Sequence, residues 1–135
     1  RFHEAKSLGA SSVTVWGTGE VRREFLFVDD LADAALHIAS LPKSVMEQKT
    51  ENNCSHINVG TSRDISIAEL AKLIKKVVGF SGEIVFDPSM LEGTPRKVLD
   101  TEKIKDLGWR PRYELEEGLR KTYDDFCSRS MDLDK

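Results

Sequence analysis

Short apolar runs alternate with helically spaced apolar positions along this chain, and glycine or proline stands between most of them. Phe2, Ala5 and Leu8 recur at helical spacing and stop at Gly9, which predicts the last turns of an amphipathic helix. Val13-Thr14-Val15-Trp16 is a β-rich run halted by Gly17 and Gly19. Arg23 to Val28 reads as a second strand, with Phe25 and Phe27 on one face by period two. Asp29 or Asp30 suits the N-cap of the next helix, since a carboxylate accepts the free N–H groups of a first turn. That helix carries Leu31, Ala34, Ala35, Ile38 and Leu41 on one stripe and ends at Pro42.

The second half repeats the pattern. Residues 43–55 are polar and read as a surface connection, and His56-Ile57-Asn58-Val59-Gly60 as a short strand. Ser66-Ile67-Ala68-Glu69 has the form of a capping box. Ile67, Leu70, Ala71, Ile74 and Val78 follow as a buried face, with Gly79 as the stop. Glu83 to Asp87 predicts a strand, Pro88 to Pro95 a loop, and Thr101 to Leu107 a short helix closed by Gly108. Leu115, Leu119, Tyr123 and Phe126 mark a last helix, although Gly118 inside it costs about 1 kcal/mol relative to alanine. Residues 128–135 are expected to fray as a C-terminal tail.

Strands alternating with helices give an α/β chain, with too few strands for a complete doubly wound sheet. At 135 residues the chain has the size of one domain. It opens inside the final turns of a helix and without an initiator methionine, so it is expected to be the C-terminal part of something longer. A formal net charge of −3 argues against a general nucleic-acid binder, which shows a strongly basic face. No apolar run approaches the roughly 20 residues that cross a bilayer. Cys54 and Cys127 are the two cysteines. Without metal-ligand or CxxC spacing they read as reduced thiols of a cytoplasmic protein.

The candidate chemistry lies in two loops. Trp16 ends a strand, where an aromatic is ordinarily a core residue. The glycine turn after it and the arginine downstream favour a ring at the rim of a cleft, on which a base can stack. Strand alternation puts Arg22 and Arg23 on opposite faces. Arg22 reads as a surface charge. Arg23, on the side of Phe25 and Phe27, needs an anionic partner, either a carboxylate or a ligand phosphate. Glu92-Gly93-Thr94-Pro95-Arg96-Lys97 is a constrained turn presenting two cations, and the Glu92 carboxylate can accept two hydrogen bonds from a ribose diol or a base edge. Asp29 and Asp30 fit helix caps better than catalytic acids. His3, His37 and His56 lack metal-ligand spacing, and no GxSxG, HExxH or Walker sequence occurs. Gly17-Thr18-Gly19 lacks the third glycine of a dinucleotide fingerprint and leads into a strand.

Taken together, Val15-Trp16-Gly17-Thr18-Gly19 and Arg23-Glu24-Phe25-Leu26-Phe27-Val28-Asp29-Asp30-Leu31-Ala32 resemble the C-terminal part of extended short-chain dehydrogenase/reductases that act on nucleotide sugars. Ser55 to Gly60, Gly93-Thr94-Pro95-Arg96-Lys97-x-Leu99-Asp100 and Leu107-Gly108-Trp109 narrow the resemblance to the GDP-L-fucose synthase family, the GDP-4-keto-6-deoxy-D-mannose epimerase/reductases. It runs from Arg1 to about Phe126, so residues 1–127 are expected to form a nucleotide-sugar-binding portion. In that family NADPH sits on an N-terminal Rossmann core. A Ser-Tyr-Lys set and a Cys/His pair, also in the preceding half, carry the chemistry. None of those motifs occurs in this stretch, so no catalytic, cofactor-binding or metal residue is assigned here, and the chain alone is expected to be inactive.

The resemblance does imply a substrate grip. Arg1 falls at an arginine near the sugar and diphosphate. Trp16 and Arg23 match nucleotide-sugar contacts, and Lys97 matches a lysine lining the pocket. Glu92 stands where the family usually has aspartate. A GDP-sugar is the implied substrate, with neither nucleic acid nor membrane as partner. The family's homodimers pair through helices of the preceding half, which leaves this stretch monomeric by itself. Two alternatives stay open: a UDP- or dTDP-sugar epimerase or reductase, and a non-catalytic nucleotide-sugar-binding module.

Overall fold

A computed structural model describes residues 1–50 and 54–133. In chain order the elements are α1 (Phe2–Ser7), β1 (Ser12–Trp16), β2 (Arg22–Glu24), α2 (Val28–Ser40), α3 (Lys43–Lys49), β3 (Asp64–Ser66), α4 (Ile67–Val78), β4 (Glu83–Asp87), β5 (Arg96–Lys97), α5 (Glu102–Asp106) and α6 (Leu115–Leu133). They form an α/β fold of two compact units. The first comprises Arg1–Arg23, Ile65–Lys97 and Glu116–Lys135, the second Glu24–Asp64 and Val98–Leu115.

The first unit is built on two parallel pairings. β1 lies beside β4 from Ser12↔Glu83 to Trp16↔Asp87. β2 lies between β3 and β5, with Arg22↔Arg96 and Arg23↔Lys97 in register. Val13 of β1, Val78 of α4 and Phe80 form the core, joined by Phe2, Ala5, Ile74 and Tyr123. Phe2 meets Phe80 edge-to-face at 5.9 Å. α4 follows the sequence reading closely. The Ser66 side chain accepts from the Glu69 N–H, the Glu69 carboxylate accepts from the Ser66 N–H, and Gly79 ends the helix in left-handed conformation. The Ser66 N–H and hydroxyl, both donating to the exposed Glu69 carboxylate, and then the nearby Arg22 charge hold that carboxyl below its usual pKa. Ser66→Ala should cost about 1 kcal/mol, read as a lower urea midpoint at unchanged slope. A midpoint equal to the parent's would mean that the box adds nothing here.

In the second unit Ala34 of α2, Ile104 of α5 and Trp109 are the buried centre, with Leu26, Ile38, Ile57 and Val59 against them. Asp30 is 1% exposed. It caps nothing, contrary to the sequence expectation, because α2 starts at Val28 with Phe27 as N-cap. Its two carboxylate oxygens instead accept the backbone N–H groups of Arg112 at 3.0 Å and Tyr113 at 3.1 Å. Asp33 binds the Trp109 indole N–H at 2.8 Å and Arg112 at 2.6 Å.

Several expected elements differ. The strand expected from Arg23 to Val28 ends at Glu24, so Phe25 and Phe27 do not continue a face with Arg23. Phe27 packs edge-to-face on Tyr113 at 4.9 Å. In the α2 stripe Ala34 is buried and Ile38 half-buried, while Leu31 and Ala35 are exposed. The polar stretch after Pro42 contains α3, and residues 51–53 of it lie outside the described residues. His56–Gly60 forms no strand. Asn58 reaches the Asp100 carbonyl instead, and the Glu24 carboxylate takes the N–H groups of Thr61, Ser62 and Leu99. α6 is helical as far as Leu133, past Ser128 where fraying is expected, and residues 134–135 lie outside the described ones. Among the described residues no helix is long and apolar enough to cross a membrane.

Candidate functional site

Arg1, Trp16, Arg23, Glu92 and Lys97 all belong to the first unit. β1 delivers Trp16 at its C-terminal end, where the ring is 57% exposed and therefore not a core residue. The Arg1 guanidinium lies 5.0 Å from the centre of that ring, a cation–π distance, and donates to the Thr14 carbonyl at 3.4 Å. The chain then turns through Gly17 and Gly19, at φ +84 and +83, a region that L side chains adopt only with strain. The Gly17 N–H is held by the Asp87 carbonyl at 2.8 Å. Beyond the turn, the carbonyls of Gly19 and Val21 receive the first free N–H groups of α4, from Ala68 at 2.9 Å and Ile67 at 3.0 Å. The start of α4 therefore holds the segment leading into β2.

The pairing of β2 with β5 sets the cations. In-register neighbours project to the same side of a sheet and successive residues to opposite sides. Arg23 and Lys97 therefore share one face, and Arg22 and Arg96 the other. On its face Arg22 approaches the Glu69 carboxylate at 3.5 Å. The Arg23 side chain is half-buried and donates to the Arg22 carbonyl at 2.7 Å. It also runs against the loop, since a Cβ added at Gly93 would lie 3.2 Å from its Nη2. Among the described residues neither Arg23 nor Lys97 has a carboxylate partner. Two cations side by side without a protein anion suit a ligand carrying more than one negative charge.

Glu92 sits differently from its sequence reading. Its Oε1 accepts both the Thr18 N–H at 2.6 Å and the Thr18 hydroxyl at 2.8 Å. These hydrogen bonds, the hydroxyl's foremost, hold the Glu92 carboxyl below its usual pKa. Gly17 makes room for it, as a Cβ there would lie 2.4 Å from Oε1. A continuous run of contacts thus links Arg1 to Trp16, the Trp16 turn to Glu92, the Glu92–Gly93 loop to Arg23, and Arg23 to Lys97. Thr18 is the member that the sequence reading missed. Its one signal in the sequence is its place between two glycines, which marks a turn with a backbone N–H outside strand pairing.

Nothing in the Gly17–Gly19 turn fits a dinucleotide cofactor. It leads into β2 rather than a helix, and the Thr18 N–H is taken by Glu92. A separate open cavity of about 420 Å³ in the second unit is lined by Asp33, His37, Ser40, Trp109, Arg110 and Arg112, and contains none of the five residues. No cluster of metal-ligating side chains occurs among the described residues. Cys54 and His56 approach at 3.4 Å, and neither takes part in the site.

Residues 1–60 match the model of the NAD dependent epimerase/dehydratase family. Over 123 residues, 91% of the chain, it is 50% identical to the GDP-L-fucose synthase of Escherichia coli (strain K12) and spans 38% of that protein's length. The chain is similar over most of its length to the C-terminal part of extended short-chain dehydrogenase/reductases. Among solved structures of this superfamily, a Campylobacter jejuni GDP-6-OMe-4-keto-L-xylo-heptose reductase is similar at TM-score 0.79 and 40% identity, covering 96% of the chain and 39% of that structure. The GDP-mannoheptose C4 reductase of Campylobacter jejuni, solved with NADP bound, is similar at TM-score 0.74 and 40% identity, covering 91% of the chain and 41% of that structure. The chain corresponds to somewhat over a third of each of these relatives.

Proposed function

We propose that this chain supplies the nucleotide-sugar grip of an NADPH-dependent GDP-4-keto-6-deoxy-D-mannose 3,5-epimerase/4-reductase, which makes GDP-L-fucose. The observation that carries this reading is the Arg23–Lys97 pair, two cations on one sheet face with no carboxylate partner among the described residues. In the proposed grip the pair holds the diphosphate and Trp16, flanked by Arg1, offers a face to the nucleotide. Glu92 keeps the loop of Lys97 at the Trp16 turn. The choice of GDP over other nucleotides is supported by the names of the relatives, GDP-L-fucose synthase and GDP-heptose reductases among them. Hydride and proton transfer fall to residues outside this stretch, because it holds neither a dinucleotide cradle nor a Tyr-x-x-x-Lys sequence.

Calorimetric titration with GDP, UDP and dTDP tests the reading. GDP should bind tightest, and the chain by itself should not oxidise NADPH with GDP-4-keto-6-deoxy-D-mannose. Equal affinity for the three nucleotides would remove the GDP assignment, and turnover of NADPH would remove the division of labour.

A further inference from the structure

Thr18 and Glu92 lie 74 residues apart in sequence, and one carboxylate oxygen takes both donors that Thr18 offers. On one side of this contact Trp16 is two residues away, across Gly17. On the other, Gly93 follows Glu92 and lies against Arg23, and Lys97 closes the same loop. The contact is thus the joint between the half of the grip that carries the ring and the half that carries the cations. Both residues are exposed, yet the carboxylate is held on the backbone N–H and the hydroxyl of one residue, charge-assisted bonds that keep its oxygen engaged. The Glu92 pKa is lowered by the same hydrogen bonds.

We propose that Glu92 is a positioning residue that acts through Thr18, holding the Trp16 ring and the Arg23–Lys97 pair at the spacing of one ligand. Glu92 then touches the turn and not the nucleotide sugar, and Thr18 contributes to affinity without contacting the ligand. This rests on the reading of the five residues as a GDP-sugar grip. The alternative is direct contact, in which Glu92 swings away from Thr18 and accepts from the ligand.

A double-mutant cycle separates the two, with GDP as the probe and the 135-residue chain as the protein. Thr18→Ala and Glu92→Gln should each weaken GDP binding about tenfold, the scale of one charge-assisted hydrogen bond. The double variant should be no weaker than either single one, and Thr18→Ser should restore the parent affinity. Additive losses, or a Thr18→Ala chain that binds like the parent while Glu92→Gln does not, would overturn the proposal and leave the grip standing. A parent chain that does not bind GDP removes the grip instead. A ligand-free readout tests the joint in that case too. The assigned Trp16 indole N–H resonance should move alike in Thr18→Ala and Glu92→Gln, and a resonance unmoved in both would overturn the proposal.

Discussion

Arg23→Ala should weaken GDP binding by about 2–5 kcal/mol, because the diphosphate loses the one guanidinium that shares a face with Lys97. The guanidinium is half-buried and set against Gly93, so it reaches its position without a large ordering cost at binding. Arg23→Lys should recover only part of the affinity, since an ammonium cannot reproduce a two-pronged fork. Arg22→Ala is the control. Arg22 projects to the opposite face and meets Glu69 across an exposed 3.5 Å contact, so its loss should stay within about 0.5 kcal/mol. Calorimetry on the three variants, with circular dichroism for folding, decides the matter. Equal damage from Arg22→Ala and Arg23→Ala would mean that the face set by the β2–β5 register is not the binding face.

The largest stability effect is expected at Asp30. Its carboxylate is buried and receives the N–H groups of Arg112 and Tyr113, two donors that water does not replace. Asp30→Ala leaves both without an acceptor and should destabilise the chain by about 3 kcal/mol. Asp30→Asn retains one oxygen and should fall between. Urea unfolding followed by far-ultraviolet circular dichroism measures both, and an alanine variant within about 0.5 kcal/mol of the parent would show that the anchor is dispensable.

What could be read in advance was what is local. Ser66 and Glu69 are three residues apart and satisfy one another, so the capping box and α4 stand as expected. The alternation in Glu83–Asp87 gives β4 at the same bounds. Where the reading failed, a distant partner decides the backbone. Phe25 and Phe27 have strand spacing, but Phe27 turns to meet Tyr113 and the chain enters α2 instead. Asp30 looks like a cap by position, and only the arrival of residues 112–113 gives its buried carboxylate another task. His56–Gly60 has strand-forming residues, yet the polar groups around it are taken by side chains, Asn58 onto Asp100 and Glu24 onto the following loop. α3 lacks an amphipathic stripe that would announce it. In the candidate site, the pairing of the cations was not legible. β5 is two residues long, and nothing in the sequence sets Lys97 beside Arg23.

The two units are interleaved along the chain, three stretches in one and two in the other, and this dictates an order of events during synthesis. β1 must wait for Glu83–Asp87 before it has a strand to pair with. Arg23 likewise waits for Lys97. Tyr123, which packs on the core of the first unit, comes later still. That unit therefore closes only after all three of its stretches have left the ribosome. Long-range parallel pairing is slow in itself, and an unpaired β1 is open to misassociation while it waits for β4.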